Sequence, residues 1–205
     1  MRYRRRRFPG ILRPANVPRQ PFLGPRIRGS AALGVRPRLR LNRAHQMLAA
    51  GDFEGAASIF AELAELAESQ GMPGRAAQLH LQAGRARLEL GNGPAALQHA
   101  RQGLGLFLAN ESYQRAAQAL PRILQEFRVR GFSAEADSLA SEARAHFEHA
   151  GQSFEPATSA APRRRGSLPA RCPQCGGDLR PDEVEWLDEN SAECEYCGSV
   201  VKVEG

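Results

Sequence analysis

Gly51-Asp52-Phe53-Glu54-Gly55-Ala56-Ala57-Ser58-Ile59-Phe60 is a helix stop followed at once by a helix start. Glycine readily takes the left-handed conformation that closes a helix, and an aspartate just after it can accept from the free N–H groups of the next one. The same punctuation recurs at Gly71, Gly91, Gly131 and Gly151, with Asn110-Glu111 where the missing stop is due, so a stop falls every 20 residues. Starts come directly after. Pro73 and Pro94 suit a first turn, where a missing N–H costs nothing, and Ser112 and Ser133 can cap. Between stops the apolar residues keep to one face: Ala56, Ile59, Phe60, Leu63, Leu66 and Ala67 in one stretch, Ala136, Leu139, Ala140, Ala143 and Phe147 in another. Glu54, Glu62, Glu65 and Glu68 take the other side. Residues 37–151 are therefore predicted to form six helices of about 16–18 residues each.

Alternate stops line up at a spacing of 40, and the register carries through Ala56, Ala96 and Ala136, then Phe60, Ala100 and Ala140. A helix–turn–helix unit repeated three times predicts a solenoid in which each hairpin buries its face against its neighbours. A plain antiparallel bundle of regular helices is the alternative. The stretch 51–60 resembles the inter-helix turn and second helix of a tetratricopeptide repeat, and Ala44 and Gly84 sit where that family places a small residue in its first helix. The chain departs from the family in its longer period, in lacking the first-helix aromatic, and in placing Leu124 where a small residue belongs. Pro121, mid-helix, implies a kink or a delayed start. The resemblance implies a concave groove that receives a protein or peptide.

Near the C-terminus, Cys172-Pro173-Gln174-Cys175-Gly176-Gly177 and Cys194-Glu195-Tyr196-Cys197-Gly198-Ser199 are two C-x2-C turns separated by 18 residues. That spacing lets both thiolates of a pair reach one ion, and the glycine after each pair permits the positive φ of the turn. Two such pairs at this separation match a zinc-site signature. Val184-Glu185-Trp186-Leu187, Ser191-Ala192-Glu193 and Val200-Val201-Lys202-Val203 read as strands, with a turn at Asp188-Glu189-Asn190. Residues 171–205 resemble the zinc-ribbon family, and Cys172, Cys175, Cys194 and Cys197 match its ligand positions, implying one structural Zn²⁺. Iron in a rubredoxin-like site is the competing metal. The fold class expected is mainly α, three repeat-like hairpins, plus a small β zinc ribbon.

Charge is strongly segregated. Residues 1–43 hold 13 Arg and no acidic group, whereas 171–205 hold three basic and nine acidic residues. Residues 1–36, with prolines at 9, 14, 18, 21 and 25 among the arginines, are expected to be a disordered arm. Such an arm would bind nucleic acid or an anionic surface by releasing counterions; a solvated tail, or an arm docked on the acidic ribbon, fits the same charge. The ribbon itself, negative even with Zn²⁺ bound, would repel a polyanion and fit a basic protein surface. Residues 152–170, rich in Pro, Ser and Arg, are expected to be a flexible linker that lets the two folded parts move separately.

No apolar run reaches membrane-spanning length, and prolines interrupt the stretch after Arg5-Arg6-Arg7-Phe8, so neither a transmembrane segment nor twin-arginine export is expected. Paired cysteines of metal-ligand spacing suit a reducing compartment, the cytoplasm by default. A catalytic constellation is not found. His146 and His149 could share a helix face but lack a carboxylate partner motif, and His45, His80 and His99 are isolated on Ala-rich helices. Gly103 and Gly105 are followed by no G-K-[ST] phosphate loop, and Ser167 and Ser199 have no base partner. The reading is a non-enzymatic interaction adaptor, with a nucleic-acid- or ribosome-associated factor as the alternative.

Overall fold

The structure, a computed structural model, describes residues 34–152, 167–182 and 184–203. The helical part holds six helices: α1 (Val35–Ala50), α2 (Phe53–Ser69), α3 (Pro73–Glu89), α4 (Gly93–Ala109), α5 (Tyr113–Val129) and α6 (Ser133–His149). Each junction is built the same way. The N–H two residues after the last turn reaches back to the carbonyl of residue 47, 67, 87, 107, 127 or 147, at 2.8–3.0 Å. This is the Schellman closure, and it requires a left-handed residue just before the donor. Glycine supplies it at 51, 71, 91, 131 and 151, whereas Glu111 is forced to φ 56° at the remaining junction. An L-residue there costs about 1 kcal/mol, so Glu111→Gly is expected to stabilise the protein by about that much. A thermal melt that fails to rise would show that Glu111 is held there by something other than backbone need.

The starts obey local chemistry with some corrections. Asp52 caps α2 by accepting from Gly55 N–H at 3.0 Å, and Asn92, not singled out in the sequence, caps α4 through Ala95 N–H at 3.1 Å. Ser112 occupies the cap position of α5 without a side-chain cap bond, and Ser133 is the first helical residue of α6, behind Phe132. Helix α1 begins at Val35, two residues before the expected boundary, because Pro37 lies in its first turn, where no N–H is needed. Helix α5 runs unbroken through Pro121 from Tyr113, so its start is not delayed.

Small residues let α3 and α4 approach closely. A Cβ on Gly84 of α3 would sit 3.2 Å from the Ala96 carbonyl oxygen, and one on Gly103 of α4 would sit 2.8 Å from that of Ala77. Gly103 lies inside α4 and permits the contact.

The C-terminal module carries β1 (Glu185–Asp188), β2 (Ser191–Glu193) and β3 (Val200–Lys202) in one antiparallel sheet of order β1-β2-β3. Trp186 faces Ala192, which faces Val201. Asp188 makes the β1–β2 turn by accepting from Asn190 N–H at 2.7 Å and the Ser191 hydroxyl at 2.6 Å.

Among the described residues, two buried clusters hold the fold together. One joins α4, α5 and α6 around Phe107, Leu120, Phe127, Leu139 and Phe147. The other begins at Leu41, Phe60, Leu63 and Leu79 of the first helices and continues without a break into Val184, Tyr196 and Val201 of the module. The described parts of the helical array and the module thus share a core, where the sequence led us to expect separately moving units. Residues 1–33 of the arm expected over 1–36, and residues 153–166 of the expected linker, lie outside the described residues. Among the described residues, no helix is long and apolar enough to cross a membrane.

Candidate metal centre and its helical seat

The two C-x2-C segments fold into matching turns. Gly176 N–H donates to the Cys172 carbonyl at 2.9 Å and Cys172 N–H to the Gly177 carbonyl at 2.8 Å. In the second turn Gly198 N–H donates to Cys194 at 2.8 Å, and Cys194 N–H to Ser199 at 2.9 Å. Gly176 and Gly198 take φ 74° and 70°, which explains a glycine after each cysteine pair.

These turns bring together all four cysteines predicted as ligands. Cys172, Cys175, Cys194 and Cys197 are buried, with their sulfurs within 4.8 Å of one another. The Cys172–Cys197 and Cys175–Cys194 sulfurs are 3.8 Å apart, far beyond disulfide length. A tetrahedral ion with metal–sulfur bonds of about 2.3 Å has edges of about 3.8 Å, so the donor set fits a single four-coordinate ion. The charge balance agrees. Neighbouring sulfurs, that of Cys172 first, hold the Cys197 thiol far below its ordinary value and push those of Cys175 and Cys194 up. Four thiolates this close ionise together only around a cation.

The module sits on the odd-numbered helices. On α3, Arg75, Gln78 and Gln82 point to it in one stripe, three and four residues apart. Arg75 meets Glu193 at 2.5 Å, Gln78 donates to Glu195 at 2.7 Å, and Gln82 donates to the Tyr196 hydroxyl at 2.9 Å. Arg115 of α5 meets Glu185 at 2.7 Å. From α1, the His45 ring stands edge-on to Tyr196, with centroids 5.3 Å apart. Burial raises the Glu195 carboxyl to about 7, opposed by the Tyr196 hydroxyl and by Arg122, Arg115 and Arg180. The His45 ring, pushed down to about 4 by burial, stays neutral. Of the helical seat residues only His45 was considered in the sequence, and there as an isolated histidine. The visible signal was the polar series at 75, 78 and 82 on a helix half of whose other positions are Ala or Leu.

The remaining histidines divide. Solvent-facing His146 and His149 gather no ligand set among the described residues, while His80 and His99, expected to be isolated, meet with their Nδ1 atoms 3.3 Å apart. Glu68 of α2 holds the other His80 nitrogen at 2.8 Å, so the contact ties α2, α3 and α4. Burial, then His80 and Arg87, lower the pKa of His99. The folded protein therefore takes up this proton less readily than the unfolded chain does. Stability from this site is present above about pH 6.5 and lost as pH falls through the lowered value. Wild type should thus lose more of its melting temperature between pH 7.5 and 5.5 than His99→Gln does. Equal losses would show that His99 does not titrate with folding.

No family model matches the chain, and neither a curated protein nor a solved structure does.

Proposed function

We propose that the protein is a non-enzymatic interaction adaptor, a tetratricopeptide-like array carrying a zinc ribbon with one structural Zn²⁺ bound by Cys172, Cys175, Cys194 and Cys197. The observation that carries the adaptor reading is the seat itself. Arg75, Gln78 and Gln82 read three side chains of a folded polypeptide, Glu193, Glu195 and Tyr196, which is the chemistry a protein-binding face needs. The all-cysteine donor set supports a structural ion, because four thiolates leave no position for water or substrate. Zinc rather than iron follows from the ribbon spacing, and free paired thiols suit a reducing cytoplasm. When bound, the ion supplies folding energy to a module too small to fold on its core alone.

Metal analysis of the purified protein should return one zinc per chain; iron, or no metal after purification without chelator, would reject the cofactor. For the adaptor role, a photoreactive residue at Gln46 or Arg85 of the full-length protein should cross-link to another protein in cells. Cross-links confined to the chain itself would sink that reading.

A nucleic-acid role is favoured by one feature, the 13 arginines of residues 1–43 without a single acid. If it holds, full-length protein binds labelled RNA or DNA with log K falling by about 0.9 per contacting arginine against log salt, and a chain beginning at Gly34 does not. Binding by neither chain at about 150 mM salt removes it.

A further inference from the structure

The seat has a chemical bias. Among the described residues, four direct polar bridges from α3 and α5 to the strands and second cysteine turn run from a donor on the helices to an oxygen on the module. Arg75, Arg115, Gln78 and Gln82 give hydrogen; Glu193, Glu185, Glu195 and Tyr196 receive it. The cysteines take no part in these bridges. What the helices read is the run Glu193-Cys194-Glu195-Tyr196 through its two carboxylates and its phenol. Arg122 of α5 adds positive potential beside Glu195 and Tyr196. Tyr196 is buried to 4% exposure, so the tyrosine is an anchor and the glutamates fix its register.

Resting on the adaptor reading, we propose that the face of α1, α3 and α5 is a recognition surface for partner proteins presenting an acidic, tyrosine-containing segment of the form Glu-x-Glu-Tyr, and that the chain's own C-terminal module is the resident competitor covering it. A tethered occupant acts at an effective concentration of about a millimolar, so a partner segment meets a face already largely filled. The partner's apparent affinity is its affinity for the open face reduced by the fraction of time that face is open. Anything that weakens the module's hold raises partner binding without a change in the helices.

The test uses the full chain. Glu193→Lys with Glu195→Lys removes both carboxylates from the resident module and leaves the helical donors intact. The probe is a fluorescein-labelled peptide of residues 190–199, carrying Cys194→Ser and Cys197→Ser, followed by anisotropy. It should bind the double variant at least tenfold more tightly than wild type. Adding Arg75→Glu to the variant should abolish the gain, as should changing both peptide glutamates to Gln and its tyrosine to Ala. Equal binding to wild type and variant, or no binding to the variant, overturns the proposal. If the double variant does not fold, Glu193→Gln with Tyr196→Phe keeps the shape of the module, and about a threefold gain is expected; no gain overturns the proposal. A chain that cross-links to cellular partners but never binds the peptide rejects this inference and leaves the adaptor reading standing. Peptide binding in the expected order without cellular cross-links supports the surface and rejects the adaptor reading.

Discussion

Replacing Cys194 by Ser in the full-length protein is expected to abolish stable metal binding, unfold the module, and leave most of the helical ellipticity in place at a lowered melting temperature. Three links give that result. The ligand set is four buried sulfurs, so losing one breaks a closed site. The module's own apolar contribution is small, chiefly Leu168, Leu179, Val184, Ala192 and Val201, whereas a structural thiolate site supplies about 10–16 kcal/mol of folding free energy. Without it three strands of three or four residues have little to hold them. The helices have a separate reserve: the cluster of α4, α5 and α6 around Phe107, Phe127 and Phe147 contains no module residue. The first cluster is different, because Phe60, Leu63 and Leu79 share it with Tyr196 and Val201, so α1, α2 and α3 lose cover. Metal analysis, ellipticity at 222 nm and a thermal melt report the three effects separately. Loss of more than half the ellipticity would mean that the helices require the module to fold. An unchanged melting temperature would mean that the seat contributes nothing.

The parts legible in the sequence were those decided by local backbone chemistry. Glycines at 51, 71, 91, 131 and 151 announce helix ends because few other residues accept the left-handed conformation, and the structure closes a helix before each. Even Asn110-Glu111 was readable as a stop, since the spacing demanded one and the chain placed Glu111 there at a conformational cost. The four cysteines were legible for a similar reason, since their spacing is the geometry of the turn. Strand positions were legible to within one residue: β1 ends at Asp188 rather than Leu187 because Asp188 is needed to cap the turn. What depended on side chains meeting across the fold was hidden. Arg75 and Glu193 are 118 residues apart, and nothing local to either marks the other. The acidity of residues 171–205 pointed toward a basic protein surface, and part of that surface proves to be Arg75 and Arg115 of the chain itself. His80 and His99 looked isolated because their 19-residue separation spans a turn that folds one helix onto the next.

Arg75→Ala is the second large effect expected. Arg75 and Glu193 are 5% and 15% exposed and pair at 2.5 Å, so neither charge is well solvated. Removing one partner of a buried pair leaves the other short of its counter-charge, at a cost of about 3–5 kcal/mol, while replacing both by apolar groups is often neutral. Arg75→Ala should therefore destabilise docking by about 3 kcal/mol, and Arg75→Met combined with Glu193→Met should recover most of that loss. Guanidinium contact with the Met72 sulfur at 3.2 Å means that some of the single-variant loss is packing on α3 itself. A double-mutant cycle with Glu193→Ala separates that share from the ion pair. The cost should also appear at the metal. A docked module is stabilised relative to an undocked one, so by linkage anything that weakens docking weakens metal binding up to the same free energy. About 3 kcal/mol corresponds to about a hundredfold loss of affinity, readable by competition with a chromogenic chelator. A variant that melts lower yet holds metal within about twofold of wild type would show that the module folds around its ion independently of the helices. The seat would then be a contact made after folding and not part of it.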